Sequence, residues 1–368
     1  MWTLQAAQSV GSRTFERRYN NGMKRFSIAP QMREYDSIGI QWIPYTMFTQ
    51  NSGYRSSVVN TDKFGFRYTG KCDPVSLESL QGSDEFSLII GASMAFGVGA
   101  SSDDETIAAH LRQMTGELFL NMAGRAFNSK QELILFLNHL EALKTVKRVV
   151  LVSGANNLYC SAFSSRLYDP MFFSDLYLQT MENSSLSKKR KVFGSTLRAL
   201  GLSKLDWKRL HLKEFPKATF AFLKRSNKLN LVDNSERLDI DAAVRRTCAD
   251  LDIWNILSKS MGFDLIYCLQ PMPAWCGKIL SPEEQALFDE LNNDQNMILQ
   301  RLDDEQVGLR YGNALANFCV ENDLTFLNLN TSLKDIGEWI FVDRVHLTDT
   351  GYGYVAKDIF NTIGKSVQ

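Results

Sequence analysis

What this chain lacks narrows its chemistry before any motif is read. None of its six cysteines forms a CxxC pair; Cys72, Cys160, Cys248, Cys268, Cys276 and Cys319 are scattered, with Cys268 and Cys276 the closest two. That spacing argues against a disulfide framework or a zinc site and predicts reduced, mostly buried thiols. The four histidines fall in no HxH or HExxH pattern, which weakens the case for a metal further, and no cofactor is expected. Charge of neither sign is in excess, 41 Lys plus Arg against 41 Asp plus Glu, so the overall charge predicts no polyanionic partner, and no nucleic-acid-binding motif accompanies the basic residues, so no nucleic acid is expected. No apolar run approaches membrane-spanning length, and the opening MWTLQAAQSVGSRTFERRYN lacks the apolar core of a secretory signal. The expected location is the cytoplasm. Phosphate-binding loops are also missing. Gly91-Ala-Ser-Met-Ala-Phe-Gly97 has the wrong spacing for a P-loop and no lysine, and Gly97-Val-Gly99-Ala-Ser-Ser102 lacks the third glycine of a dinucleotide fingerprint.

What remains is a globular composition, 44% hydrophobic and 22% charged over 368 residues, enough for one large domain or two ordinary ones. From about residue 86, short apolar runs alternate with amphipathic segments, the pattern of a parallel sheet with crossover helices. Strands are expected at 86–90, 118–122, 149–153, 265–269 and 324–327. Capping boxes are expected at Ser102-Asp-Asp-Glu105 and Ser129-Lys-Gln-Glu132, and Ser281-Pro-Glu-Glu284 adds proline at the first helical position. Leu133, Leu137 and Leu140 recur at helical spacing and should face the sheet. Residues 1–85 read as an irregular or hairpin-rich addition, because their aromatics are too frequent for a solvated tail. A long basic insert interrupts the third and fourth strands at about 161–240.

Four segments could carry chemistry. The stretch FSLIIGASMAFGVGA, residues 86–100, ends a strand in a tight turn and presents Ser93. FVDRVHLTDTGYGYVA, residues 341–356, places Asp343 three residues before His346, close enough to orient the imidazole and leave its other nitrogen as a base. Gly124, within Asn121-Met-Ala-Gly124-Arg-Ala-Phe-Asn-Ser129, allows a backbone N–H to approach an oxyanion. Asn156, within Ser153-Gly154-Ala-Asn156-Asn157, offers a side-chain amide for the same purpose. Both segments follow strands, where open α/β sheets place their ligands. Each segment taken singly also has a bland reading: close packing at a turn, a capped surface loop, or ordinary turn chemistry.

Together, in the order Ser, Gly, Asn, His, the four segments resemble the SGNH (GDSL-like) hydrolase superfamily. The matches are Gly91-Ala92-Ser93, Gly124, Gly154-Ala155-Asn156-Asn157 and Asp343-Arg344-Val345-His346, across residues 86–363. The resemblance implies a flavodoxin-like three-layer α/β sandwich around a mostly parallel sheet of about five strands. It divides the chain into the addition, 1–85, and a catalytic domain, 86–368, that carries the helical insert. It implies Ser93 as nucleophile, His346 as general base and then acid, and Asp343 as its orienting group. The oxyanion hole would comprise the N–H groups of Ser93 and Gly124 and the Asn156 amide. Two positions depart from the family pattern: Ala92 and Asn157 each stand where it usually has aspartate. The segments Leu269-Gln-Pro271, Ser281-Pro-Glu-Glu284 and Asn60-Thr-Asp-Lys-Phe-Gly-Phe-Arg67 look more loosely like bacterial members linked to surface-polysaccharide loci.

The expected function is an esterase or O-acyltransferase working through an acyl-serine intermediate, on a carbohydrate or glycolipid. Its partners would be an acylated carbohydrate, or an acyl donor with a sugar acceptor. An α/β-hydrolase would want GxSxG, but residue 95 is alanine, and its acid usually lies far from its histidine. The non-enzyme alternative is a carbohydrate-binding or scaffold protein on the same fold. Arg125 and Arg344 adjoin the motif residues, and if they face the cleft they favour an anionic substrate; otherwise they are solvated surface residues. Within the insert, residues 187–228 hold 13 Lys or Arg against Asp206 and Glu214, leaving 28 basic and 39 acidic residues elsewhere. Trp207, Phe215, Phe220 and Phe222 are interleaved with those charges. The segment is either a solvated decoration or an arm touching an anionic membrane or lipid-linked glycan.

Overall fold

The computed structural model describes residues 25–80, 85–161, 238–291 and 297–365. Its frame is a five-stranded sheet of β3 (Phe86–Gly91), β4 (Phe119–Asn121), β5 (Val146–Ser153), β6 (Asp264–Leu269) and β7 (Thr325–Asn328). The order is β4-β3-β5-β6-β7, and every neighbouring pair is parallel. Counted within the sheet this is the 2-1-3-4-5 order of flavodoxin-like folds, whose switch point lies between the first and third strands. Here that is the crevice at the C-terminal ends of β3 and β5, and Ser93 follows β3 there.

Strands β3 to β6 are buried on both faces, which is why they read as near-continuous apolar runs, while the edge strand β7 is half-buried. Ile89 of β3, Val150 and Val152 of β5, and Ile266 and Cys268 of β6 join one core. That core also takes residues from α3 (Ile107–Thr115) and α10 (Asp349–Lys365). The opposite layer consists of α4 (Ser129–Asn138), α6 (Ile240–Met261) and α9 (Glu305–Glu321). There Phe136 of α4 meets Trp254 of α6 at a centroid distance of 4.8 Å. The three layers are those expected.

Residues 25–80 are built into the first of these cores. Ala29, Ile38, Val58 and Val59 pack there with Met32 and Tyr35 of α1 (Met32–Ser37). An antiparallel hairpin follows, β1 (Ile40–Ile43) and β2 (Met47–Gln50). Arg67, fully buried, donates to Asp103 Oδ1 and to the carbonyls of Val58, Phe96, Gly97 and Ser102. The guanidinium thus ties three stretches of backbone together inside the core.

The helix starts differ in detail from expectation. Ser281 is a full capping box: its Oγ accepts from Glu284 N at 3.3 Å, and Glu284 Oε2 accepts from Ser281 N at 2.7 Å, with Pro282 opening α7 (Pro282–Leu291). At α4 the box is shifted by one residue to Asn128 and Gln131, which frees Ser129 and Glu132 for buried contacts. Ser102 caps only a 3-10 turn, Asp103–Glu105, and Thr106 caps α3. Leu133 is buried as expected, but Leu137 is 40% exposed, since Glu132, Leu133, Leu135 and Phe136 form the inward face. All six cysteines are free thiols, and four of them are buried. No helix among the described residues is long and apolar enough to cross a membrane. The insert residues 162–237, including the basic run 187–228, lie outside the described residues.

Candidate active site

The turn that follows β3 depends on Gly91. Its φ is +152°, and a Cβ there would sit 2.1 Å from the Val152 carbonyl oxygen, so only glycine lets β3 end against β5. The chain then enters the single helical turn α2 (Ser93–Phe96), with Ala92 at the N-cap and no side-chain cap. Ala92 contributes a buried methyl group that supplies no bond. From Phe86 to Ala100 only Ser93 escapes full burial. The turn is held from outside: the single hydrogen of Tyr35 Oη is shared between the carbonyls of Gly97 and Ala100, 2.8 and 2.7 Å away, and Tyr352 Oη donates to that of Val98 at 2.7 Å.

His346 Nε2 lies 2.7 Å from Ser93 Oγ. On the other side of the ring, Nδ1 is 2.9 and 2.8 Å from the two carboxylate oxygens of Asp343. Asp343 Oδ1 also accepts the backbone N–H groups of Val345 and His346, each at 2.9 Å, which folds the loop back on its own carboxylate. Burial alone would raise the Asp343 carboxyl. That largest single effect is outweighed by the His346 imidazole, the Arg25 guanidinium and the Val345 N–H acting together, and Asp343 is held down at about 2. An ionised carboxylate only accepts, so Nδ1 carries the proton and Nε2 is left to accept from the Ser93 hydroxyl. This arrangement activates a serine by removing its proton as it attacks.

The loop carrying Asp343 and His346 is anchored by a buried carboxylate. Glu284 Oε1 accepts from Ile340 N and Phe341 N at 3.0 and 2.9 Å, while Oε2 pairs with Lys278 Nζ at 2.7 Å. Both side chains of that pair are fully buried.

Gly124 departs from expectation. Its N–H donates to the Gly91 carbonyl at 3.0 Å, so it ties the second loop to the nucleophile turn and is not available to an oxyanion. Along that loop, Arg125 N donates to Gln50 Oε1 at 3.2 Å, and Phe127 N donates to the Gly124 carbonyl at 3.2 Å. Between them lies Ala126, held at φ +63°, a conformation that costs a non-glycine residue about 1–2 kcal/mol. Glycine is required at 124 for a steric reason, because a Cβ there would lie 2.3 Å from the Phe127 ring.

Asn156 sits beside this loop at the start of α5 (Ala155–Ser161). Its Nδ2 donates to the Phe127 carbonyl at 2.7 Å, which uses one of its two amide hydrogens. Asn157 has both ends of its amide engaged. Its Oδ1 accepts from Ser129 N at 2.9 Å, and its Nδ2 donates to Thr247 Oγ1 at 2.8 Å. The donor half is what an ionised carboxylate could not supply.

Neither arginine flanking the motifs is free for a substrate. Arg125 is buried, and its guanidinium donates to the carbonyls of Tyr35 and Ile38, both at 2.6 Å. It is neither a cleft residue nor a solvated one; it clips α1 to the second loop. Arg344 pairs with Asp303 and lies over the Phe288 ring.

Arg25, Gln50 and Asp303 reach this region from outside the motifs, and nothing in their local sequence marks them; Glu284 is marked by its sequence as a helix-start residue, not as an anchor of the Asp343–His346 loop.

No family model matches this chain, and no curated protein matches it either. Solved structures do. One is a provisionally assigned acylhydrolase of Bacteroides fragilis, 13% identical, covering 78% of this chain and 90% of that one with a TM-score of 0.41. Another is a catalytic mutant of an acetylxylan esterase from Geobacillus stearothermophilus, at 14%, 77%, 94% and 0.38 in the same order. A GDSL-like lipase from Bacteroides thetaiotaomicron gives 11%, 78%, 89% and 0.36.

Proposed function

We propose that this protein is a serine-dependent acyl-ester hydrolase or O-acyltransferase of SGNH type. The observation that carries the reading is the unbroken chain of hydrogen bonds from Ser93 Oγ through His346 to an ionised Asp343, ending on the one accessible residue of its turn. Ser93 attacks an acyl carbonyl as His346 Nε2 takes its proton. The imidazolium, stabilised by Asp343, then returns that proton to the departing alcohol, leaving an acyl-serine. Water or a second hydroxyl, deprotonated by His346 in turn, releases the acyl group and restores the serine.

The donors left to meet the oxyanion are the N–H of Ser93, at the uncapped start of α2, and the spare amide hydrogen of Asn156, since the N–H of Gly124 is already bonded to the Gly91 carbonyl. Removal of one such donor typically costs about 3 kcal/mol of transition-state stabilisation.

The substrate class we favour is an acylated carbohydrate or glycolipid, on the strength of the motif resemblance. The basic, aromatic run 187–228 would bring the enzyme to an anionic membrane surface or lipid-linked glycan, a reading that rests on its charge pattern alone. The test of activity is hydrolysis of p-nitrophenyl acetate beside acetylated oligosaccharides, with and without free sugar acceptors. Hydrolysis or transfer that disappears in Ser93→Ala supports the reading. A folded protein with no Ser93-dependent turnover supports the carbohydrate-binding alternative.

A further inference from the structure

Behind the Asp343 carboxylate stands a cation that belongs to none of the four motifs. Arg25 has a side chain only 7% exposed. Its Nη2 lies 4.0 Å from Asp343 Oδ2, the oxygen that also faces His346 Nδ1 at 2.8 Å. Its Nη1 is 3.0 Å from Asp36 Oδ2, on α1. The guanidinium therefore bridges two carboxylates, one on α1 and one in the site. Its backbone is fixed as well, since the Arg25 carbonyl accepts from Ala29 N at 2.8 Å.

Other charged and titratable groups act on the same carboxylates. Arg125, on the loop after β4, acts on Asp36. Tyr352, on α10, faces Asp343. His346 lies within the loop itself, and its neighbour Arg344 is turned to Asp303. Among the described residues, Arg25 and His346 are the two basic groups paired directly with Asp343.

We propose that Arg25 is a positioning residue for the Asp343–His346 pair: it holds the carboxylate in place and, with Asp36, sets how strongly that carboxylate favours the protonated imidazole. The proposal rests on the reading of Asp343 and His346 as the orienting and basic groups. Its direction follows from the sign of the charges. A cation on the far side of Asp343 opposes a second positive charge on His346, so Arg25 keeps the imidazole available as a base at lower pH. Asp36 acts in the opposite direction and partly offsets Arg25. The segment before β3 is thereby joined to the chemistry through two carboxylates and one guanidinium.

The test is titration of the His346 imidazole by NMR in the full-length protein, with its signal assigned by comparison with His346→Ala. In Arg25→Gln the midpoint should rise by about half a pH unit or more. In Asp36→Asn, which leaves Arg25 unopposed, it should fall. In Arg25→Lys, which keeps the charge, it should stay near that of the parent. If Arg25→Gln does not fold, the downward shift in Asp36→Asn decides alone. Midpoints unchanged in Arg25→Gln, or moved the same way by removal of either charge, would overturn the proposal. The titration needs no turnover. Activity that proved independent of Ser93 would thus defeat the hydrolase reading without altering what the midpoints say about Arg25.

Discussion

Ser93 Oγ and His346 Nε2 stand 2.7 Å apart although 253 positions separate them in the chain. The sheet makes that meeting possible: Ser93 leaves the end of β3, and His346 lies on the loop that enters α10, which packs on α3. If the contact is catalytic, Ser93→Ala and His346→Ala should each lower kcat for p-nitrophenyl acetate by about 10⁴-fold or more. Neither residue is in a core, so thermal unfolding should stay within a few degrees of the parent. Combining the two should cost little more than either alone, since they act as a unit.

Ala126 and Gly124 should respond in opposite ways. Ala126→Gly relieves a left-handed backbone, so stability should rise by about 0.5–1 kcal/mol in urea unfolding while activity persists. Gly124→Ala drives a methyl group into the Phe127 ring and should cost about 1–3 kcal/mol. Asn156→Ala should lower kcat more than it changes KM, because the oxyanion exists only along the reaction path.

The sheet was legible because strands buried on both faces, as β3 to β6 are, must be written in apolar residues, and all five expected strands are present. The contact of Asp343 with His346 was legible because both lie within one loop. The fates of Gly124, Arg125 and Arg344 were not. Whether a backbone N–H is free, or an arginine faces solvent, depends on partners such as Gly91, Tyr35 and Asp303 that are remote in sequence. At α4 the capping pattern fitted two adjacent registers, and the demand for Ser129 Oγ to reach Asp250, at 2.5 Å, accompanies the one adopted.

Glu284 anchors the loop of Asp343 and His346 from a fully buried position. Glu284→Ala leaves Lys278 buried without its partner and should destabilise by about 3–5 kcal/mol in urea unfolding. The paired replacement Lys278→Met with Glu284→Met should recover part of that loss. It should not restore full activity, because the bonds to Ile340 and Phe341 stay broken.

Glu132 gives a pH dependence with a definite sign. Burial raises its carboxyl to about 8, against the lowering effect of the Ser153 hydroxyl, with Asp250 adding to the rise. The folded state thus holds a proton that the unfolded state releases from about pH 4.5 upward. The contribution is fully present below that pH and is lost as pH rises toward 8. Chemical denaturation between pH 5 and 8 should show a steeper decline for the parent than for Glu132→Gln.

Acylation of Ser93 is the step on which the proposed chemistry turns. The direct measurement is peptide mass spectrometry after brief mixing with p-nitrophenyl acetate and an acid quench. The expected result is an acetyl adduct on Ser93, in the peptide containing residues 86–100, that forms more slowly in His346→Ala and is absent in Ser93→Ala. Undiminished turnover in Ser93→Ala, or an adduct confined to another residue, would contradict it.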